Sequence, residues 1–186
     1  MQKNPRNSVI LVLGGFRSEK SRYAQQLAEQ SSRVRFVATA ERRDDEEMHR
    51  KIERHRADRP THWTTVEEPV ALGRVIQISE DTCDTVLIDC LMLFGVNLME
   101  AYESDEESLE ACIKALCVAL ETTSRKVILV SNQVGSGVVP AYPPGRRFRD
   151  LVGEINQRIA AVADTVILMV AGLPLPLKDS LDGGHQ

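Results

Sequence analysis

The clearest indication of the fold in this 186-residue chain is the segment Val9-Ile-Leu-Val-Leu-Gly-Gly-Phe-Arg-Ser-Glu-Lys-Ser-Arg-Tyr-Ala24. Its first five residues, Val9 to Leu13, are all apolar and predict a strand that is buried on both faces. Two glycines follow, and Lys20 and Ser21 then begin a segment with helical character. A buried strand, a glycine turn and a helix start together predict a phosphate-binding loop, because backbone N–H groups and the helix N-terminus face the anion.

The sequence pattern for such a P-loop is G-x-x-x-x-G-K-[ST]. Gly14, Lys20 and Ser21 fit this pattern, whereas Glu19 stands where the second glycine is expected. Lys20 is suited to neutralise charge on the β- and γ-phosphates, and the Ser21 hydroxyl is suited to bind Mg²⁺. The alternative is a solvated lysine at a helix start, which the strand–glycine–helix context disfavours.

The composition is that of an ordinary soluble globular protein, with 42% hydrophobic and 27% charged residues. We expect one domain over residues 1–186, with flexible ends at 1–7 and 179–186. A net charge of −4 gives no sign of a nucleic-acid binder. The longest uncharged apolar run, Thr165 to Leu177, is too short for a membrane span and contains two prolines. Because no signal-type stretch follows Met1, a cytoplasmic location is expected.

The four cysteines, Cys83, Cys90, Cys112 and Cys117, form no C-x-x-C pair. We therefore expect reduced and mostly buried thiols rather than a metal site.

Strands rich in Val, Ile and Leu alternate with helical segments along the chain. After the first strand and its helix, which is expected to end near Gln30, strands are predicted at 34–39, 85–90, 126–131 and 165–170, with a short strand or extended segment at 61–67. Further helices are predicted at about 44–56, 69–77, 109–120 and 148–162; the segment 141–145 is expected to be irregular, and the chain to fray from Lys178. This alternation predicts an α/β fold: a mostly parallel sheet with helices on both faces.

In such a sheet the ligand site lies at the carboxyl ends of the strands. The loops expected there are Gly14 to Ser21, Ala38 to Ala40, Asp89, and Asn132 to Pro140. Asp89 ends an apolar strand where a Walker-B acid is expected, and its alternative role is to cap a neighbouring turn.

His55 is ambiguous by itself. It shares a predicted helix face with Met48 and Ile52, which favours a packed side chain over a catalytic one. The neighbouring arginines are suited to hold a polyphosphate, and a neutral imidazole is a competent nucleophile toward phosphorus. A second basic cluster, Arg146 to Arg149, is either an anion clamp or a solvated helix start.

Several stretches in one order carry a family resemblance. They are the loop Gly14 to Arg22, Arg54-His-Arg-Ala-Asp-Arg-Pro60 with Trp63, Leu-Ile-Asp-Cys-Leu around Asp89, Asn132-Gln-Val-Gly-Ser-Gly-Val-Val-Pro140, and Arg147 to Asp164. Together they resemble the bifunctional adenosylcobinamide kinase / adenosylcobinamide-phosphate guanylyltransferase family of cobalamin biosynthesis. The resemblance extends from Val9 to Lys178.

The resemblance implies a P-loop nucleotide-binding fold that assembles as a homotrimer, with a corrinoid substrate. It implies that adenosylcobinamide is phosphorylated with ATP or GTP in the presence of Mg²⁺. It also implies that GMP from GTP is carried on an enzyme histidine, with release of pyrophosphate, and passed to the cobinamide phosphate.

By position, His55 resembles the guanylylated histidine of that family, and Ser21 and Asp89 are the expected Mg²⁺ ligands. Neither His49 nor His62 matches the motif position. The nucleotide-binding residues that the resemblance implies are Gly14, Gly15, Phe16, Arg17, Ser18, Glu19, Lys20, Ser21, Ala38, Thr39, Ala40, Arg56, Ala57, Asp58, Arg59, Glu67 and Asp89.

Two positions depart from the family pattern. The family has glycine at the position of Glu19, and it usually has glutamate at the position of Gln133. A carboxylate at position 19 is expected to crowd and repel the phosphates, at a cost on the order of 1 kcal/mol. Two alternatives stay open: a degenerate member with weak or lost nucleotide turnover, or a different small-molecule P-loop kinase that forms no protein–GMP adduct.

Overall fold

The structure, a computed structural model, describes residues 8–40, 60–78 and 83–179. Its strands are β1 Val9–Gly14, β2 Val34–Ala38, β3 Thr64–Glu67, β4 Thr85–Asp89, β5 Lys126–Asn132, β6 Thr165–Val170 and β7 Leu173–Asp179. Its helices are α1 Lys20–Ala28, α2 Leu72–Gln77, α3 Leu91–Ala101, α4 Glu106–Thr122 and α5 Pro143–Val162, with a short 3₁₀ helix at Val134–Ser136. The predicted helix at 44–56, with Met48, Ile52 and His55, lies outside the described residues.

The strands form a single seven-stranded sheet in the order β3-β2-β4-β5-β1-β6-β7. All neighbouring strands from β3 to β6 pair in parallel, and β7 pairs antiparallel with β6. β1 lies near the centre, between β5 and β6, and five of its six residues are buried. The predicted mostly parallel sheet is therefore confirmed, and the loop after β1 lies at the middle of its carboxyl edge.

Helices cover both faces of the sheet, as the sequence predicts. Leu11 and Leu13 of β1 face a cluster that includes Leu98 of α3, Leu116 of α4 and Ile155 of α5. The intervening residue of β1 faces the opposite side, where a smaller cluster includes the alanines of α1. Since side chains alternate along a strand, both faces need an apolar partner, and this explains the uninterrupted apolar run in β1.

The strand β7 corrects the expectation that β6 is the last strand and that the chain frays from Lys178. Ala171 and Gly172 both have positive φ, 51° and 82°, which is the geometry of a two-residue hairpin turn. The chain therefore folds back on β6, and Nζ of Lys178 donates hydrogen bonds of 3.0 Å to the carbonyls of Ala160 and Ala161. Two prolines in β7 are tolerated because this strand lies at the sheet edge.

Two helices also differ from the prediction. The helix α5 begins at Pro143, within the segment expected to be irregular, because proline fits the first helical turn, where its missing N–H costs nothing. The helix α3 was not predicted, since its almost entirely apolar sequence has no polar face to give a helical period. Within the described ranges, no helix has the length and apolar character that crossing a membrane requires.

Candidate nucleotide-binding site

The loop between β1 and α1 has the close packing that a phosphate-binding loop requires. A Cβ on Gly14 would collide with the hydroxyl of Ser18 and would lie 3.0 Å from the backbone oxygen of Met169, so only glycine fits there. Ser18 is buried, and its hydroxyl has no hydrogen-bond partner among the residues that the structure describes. Since an unpaired buried hydroxyl is unfavourable, this atom fits a bound phosphate oxygen or water.

Glu19 has a left-handed backbone conformation, which favours glycine. Its φ and ψ are 65° and 19°, in the left-handed region, directly before the first residue of α1. For a residue with a Cβ this conformation costs about 1 kcal/mol. The carboxylate lies 3.9 Å from the guanidinium of Arg22, and the side chain is 56% exposed. Its Cγ is the nearest atom to a Cβ built on Gly172, at 3.8 Å, so the stem of Glu19 lies beside the β6–β7 turn.

Lys20 is the first residue of α1 and bends back over the loop. Its Nζ donates a hydrogen bond of 3.2 Å to the carbonyl of Gly15. Burial lowers the pKa of Lys20, and the nearby negative charge of Asp89 opposes this by raising it. The ammonium group is thus partly desolvated, which strengthens its attraction to a phosphate as a counter-charge. The first turn of α1 contains no acidic residue, so Glu19, directly before it, is the acid at this helix start.

The sheet brings most of the expected site residues to one edge. In register, Gly14 pairs with Asn132 on one neighbouring strand. Further along, Ala38 pairs with both Asp89 and Glu67 at the ends of β4 and β3. The segment after β5 joins the loop directly, because the N–H of Gln133 donates a hydrogen bond of 3.0 Å to the carbonyl of Gly14.

Thr39 lies beneath this edge rather than on its surface. It is fully buried, and its hydroxyl accepts a hydrogen bond of 2.8 Å from the N–H of Cys90 and donates one of 2.8 Å to the Cys90 carbonyl. Asp89 is the residue directly before Cys90, and the peptide bond between the two is cis. Burial, and then the negative charge of Asp89, raise the pKa of the Cys90 thiol to about 12, so this thiol stays protonated near neutral pH.

The expected Mg²⁺ ligands offer the oxygen donors that this ion prefers. Ser21 lies in the first turn of α1, and Asp89 ends β4 close enough to Lys20 to influence its pKa. Mg²⁺ commonly takes one or two protein oxygens and completes its shell with phosphate and water. Among the described residues there is no cluster of three or more His, Cys, Asp or Glu that would instead form an all-protein metal site. The donor set therefore fits a nucleotide-bound Mg²⁺.

Some of the predicted nucleotide-site residues cannot be located on this edge. His55 and the stretch Arg56, Ala57, Asp58 and Arg59 lie outside the described residues. Phe16 is exposed at the tip of the loop.

The arginines at the start of α5 make contacts within the protein. Arg146 donates hydrogen bonds to the carbonyls of Pro140 and Ala141, at 3.1 and 2.8 Å. Arg147 donates a hydrogen bond to the carbonyl of Glu103, and Arg149 forms a salt bridge with Asp150. These contacts fix the loop and helix start; the anion-clamp hypothesis stays a prediction.

Sequence reasoning missed Asn97, a buried amide in α3. Its Nδ2 donates hydrogen bonds to the carbonyls of Thr39 and Pro69, at 2.8 and 3.1 Å. A single asparagine within the apolar run Leu91 to Met99 was the available signal, because a buried amide needs polar partners.

Comparison with protein families finds one model that matches most of the chain. Residues 10–177 match the model described as cobinamide kinase / cobinamide phosphate guanyltransferase. The chain is 43% identical over 169 residues to the bifunctional adenosylcobalamin biosynthesis protein CobP of Pseudomonas aeruginosa, covering 90% of this chain and 96% of that protein. It is 39% identical over 181 residues to the bifunctional adenosylcobalamin biosynthesis protein CobU of Escherichia coli K12, covering 91% and 99%.

Solved structures show a similar fold at low sequence identity. An ATPase from the type III secretion system of pathogenic bacteria superposes with a TM-score of 0.56 at 10% identity, covering 88% of this chain and 52% of that one. A Pyrococcus horikoshii OT3 protein has a TM-score of 0.56 at 9% identity, covering 95% and 88%. At these identities the likeness concerns the fold alone.

Proposed function

The chain belongs to the cobinamide kinase / cobinamide phosphate guanyltransferase family, and we propose that it performs both reactions of that name in cobalamin biosynthesis. In the first, the γ-phosphate of ATP or GTP passes to the aminopropanol hydroxyl of adenosylcobinamide. In the second, GMP from GTP joins the resulting phosphate, pyrophosphate leaves, and adenosylcobinamide-GDP forms. The observation that carries the proposal is the family match over residues 10–177. The close packing at Gly14 and the unpartnered buried hydroxyl of Ser18 in the β1–α1 loop support it.

For the kinase reaction, the backbone of Gly14 to Ser21 surrounds the phosphates and Lys20 neutralises their charge. Ser21 and Asp89 would hold Mg²⁺, which when bound would offset negative charge on the phosphates. Ala38, Ala40 and Glu67 belong to the same nucleotide-binding edge. Such a site accelerates phosphoryl transfer mainly by orientation and by electrostatic stabilisation of the transition state.

For the guanylyltransferase reaction, we assign His55 as the nucleophile, on the family resemblance of Arg54-His-Arg-Ala-Asp-Arg-Pro60. Its neutral imidazole forms a bond to the α-phosphorus of GTP, and the bond to pyrophosphate breaks. The cobinamide phosphate oxygen then displaces the histidine and receives GMP. Arg56 and Arg59 are suited to hold the phosphates of GTP during the first step.

The test of His55 uses GTP labelled at the α-phosphate, with Mg²⁺. We expect a protein adduct that is labile in acid and stable in base, that is lost in His55→Ala and that persists in the control His62→Ala. The variant His55→Ala should still phosphorylate cobinamide, because the kinase reaction does not use the imidazole. A wild-type chain that acquires no label would contradict the transferase proposal and favour a different small-molecule P-loop kinase.

We further propose that the protein is cytoplasmic and forms a homotrimer. The feature of the structure that suits self-association is the exposed apolar side chains of β6 and β7: Val170, Leu173, Leu175 and Leu177. Exposed apolar groups that lie together on one surface favour contact with another protein surface. The degenerate-member alternative is not favoured, since the chain matches bifunctional relatives over nearly their whole length.

A further inference from the structure

Every polar group of Thr39 is used inside the protein. Its hydroxyl makes the two bonds of 2.8 Å to the main chain of Cys90, and its N–H approaches the carbonyl of Asp89 at 3.4 Å. Its carbonyl accepts the bond of 2.8 Å from Asn97. With full burial as well, Thr39 has no polar group left to bind a nucleotide. Its hydroxyl and its N–H instead contact the main chain of Cys90 and Asp89.

Asn97 holds Thr39 in place and joins three parts of the carboxyl edge. Its one amide nitrogen reaches the carbonyl of Thr39 after β2 and the carbonyl of Pro69 after β3, using both of its hydrogens. Asn97 itself lies on α3, which begins directly after Cys90. The ends of β2, β3 and β4 are thus tied together by two side chains.

We propose that Thr39, held by Asn97, is a positioning residue for Asp89 in the phosphoryl-transfer site; the inference rests on the kinase reaction proposed above. The two bonds from the hydroxyl fix the main chain immediately after Asp89, and so they set where its carboxylate stands relative to Lys20 and Ser21. Without the hydroxyl, the buried N–H of Cys90 loses its partner, and the chain must shift or admit water to recover one. A displacement of about 1 Å in a catalytic group can lower a rate by about 100-fold.

The test compares Thr39→Val, which keeps the side-chain shape without the hydroxyl, with Thr39→Ser, which keeps the hydroxyl. We measure kcat and KM for cobinamide phosphorylation across a Mg²⁺ titration. A second measurement without turnover is the affinity for ADP, in Mg²⁺ and in EDTA. We expect Thr39→Val to lower kcat by about tenfold or more. The Thr39→Val variant should also require more Mg²⁺ for the kinase reaction, and its affinity for ADP in EDTA should equal that of the wild type. The Thr39→Ser variant should behave as wild type in both measurements.

Two results would overturn the proposal. If Thr39→Val keeps the wild-type kcat and Mg²⁺ requirement and loses only thermal stability, the hydroxyl has a structural role alone. If its ADP affinity falls equally in Mg²⁺ and in EDTA, Thr39 contacts the nucleotide directly. Should Thr39→Val fail to fold, Asn97→Ser is the substitute, because it removes the hydrogen bond that holds Thr39. The same changes in kcat, Mg²⁺ requirement and ADP affinity are expected, and the same two results would overturn the proposal.

The wild-type protein separates this inference from the proposed function. A wild-type chain that binds Mg·ADP but does not phosphorylate cobinamide contradicts the kinase proposal, while the difference between ADP affinity in Mg²⁺ and in EDTA still tests Thr39. A wild-type kinase whose Thr39 variants are unaltered contradicts the positioning role alone. The variant Asp89→Asn serves as the reference for complete loss of the acid.

Discussion

At the scale of single residues, Glu19 is the position where the sequence departs from the P-loop pattern while the backbone conforms to it. The pattern requires glycine there because the backbone is left-handed, and Glu19 adopts that same conformation with φ of 65°. Its carboxylate is more than half exposed and near Arg22, where solvent and an opposite charge both weaken its effect on a bound phosphate. We therefore interpret Glu19 as a small cost in stability rather than a block to nucleotide binding.

The substitutions Glu19→Gly and Glu19→Ala separate the effect of the carboxylate charge from the effect of the left-handed backbone conformation. Both remove the carboxylate, and only glycine relieves the left-handed strain. Because the carboxylate is screened, we expect both variants to bind Mg·GTP within about fivefold of the wild type. Glu19→Gly should unfold with a free energy about 1 kcal/mol higher than Glu19→Ala. Calorimetric titration and urea denaturation give the two quantities; a large gain in GTP affinity in both variants would mean that the native loop is impaired.

At the scale of elements, the helices α2 and α4 pack unusually closely through Gly73. A Cβ on Gly73 would lie 2.8 Å from the carbonyl oxygen of Ala115 and 3.2 Å from the backbone nitrogen of Leu116. These are backbone atoms of α4 that cannot rotate away as a side chain would. The close packing keeps α2, the helix that follows β3, against the main apolar core.

The pair Gly73→Ala and Gly153→Ala tests this packing with the same chemical change in two helices. Gly73→Ala should lower the unfolding free energy by about 1–3 kcal/mol, because α2 must move away from α4. Gly153 lies on the exposed side of α5, and a methyl group at this position would have no neighbouring atom within 4 Å. Gly153→Ala should therefore stabilise the protein by up to about 1 kcal/mol through helix propensity. Equal responses of the two variants in urea denaturation would contradict the packing argument.

At the scale of the whole molecule, β7 is an edge strand of the sheet and exposes an apolar face. Pro174 and Pro176 remove backbone donors from this edge strand, which disfavours its extension by another strand. Leu173 pairs with Val170 and Leu175 pairs with Leu168, so these side chains share one face. Leu173 is 71% exposed and Leu175 is 51% exposed. The face, rather than the strand edge, is therefore the surface suited to contact a second copy of the chain.

The double substitution Leu173→Ser/Leu175→Ser tests the proposed trimer and its contact surface together. We expect light scattering coupled to size exclusion to give a trimer for the wild type and a mass close to the single-chain 20.7 kDa for the double variant. Val118→Ser, at an exposed apolar position on α4, is the control and should keep the wild-type mass. A monomeric wild type would contradict the trimer, and a trimeric double variant would place the interface elsewhere.

The sequence alone was sufficient for the first six strands along the chain, the glycine turn between β1 and α1, and the family. These features are local: an apolar run, a glycine turn and Lys20-Ser21 occupy adjacent positions, so each signal can be recognised without knowing its partners. The carboxyl-edge location of Asp89 also followed, because the parallel arrangement places all strand ends together. The role of His55 depends on its motif and stays a prediction.

The hairpin partner of β6 and the hydrogen-bond partners of Thr39 and Asn97 became known only from the tertiary structure. The Leu-Pro alternation of β7 resembles an irregular tail until a neighbouring strand supplies its pairing. The hydroxyl of Thr39 bonds to Cys90, which is 51 residues away, and Asn97 is 58 residues from the carbonyl that it binds. A hydrogen bond of this kind has no periodic signature in the sequence, because its energy depends on two distant groups being buried together by the fold.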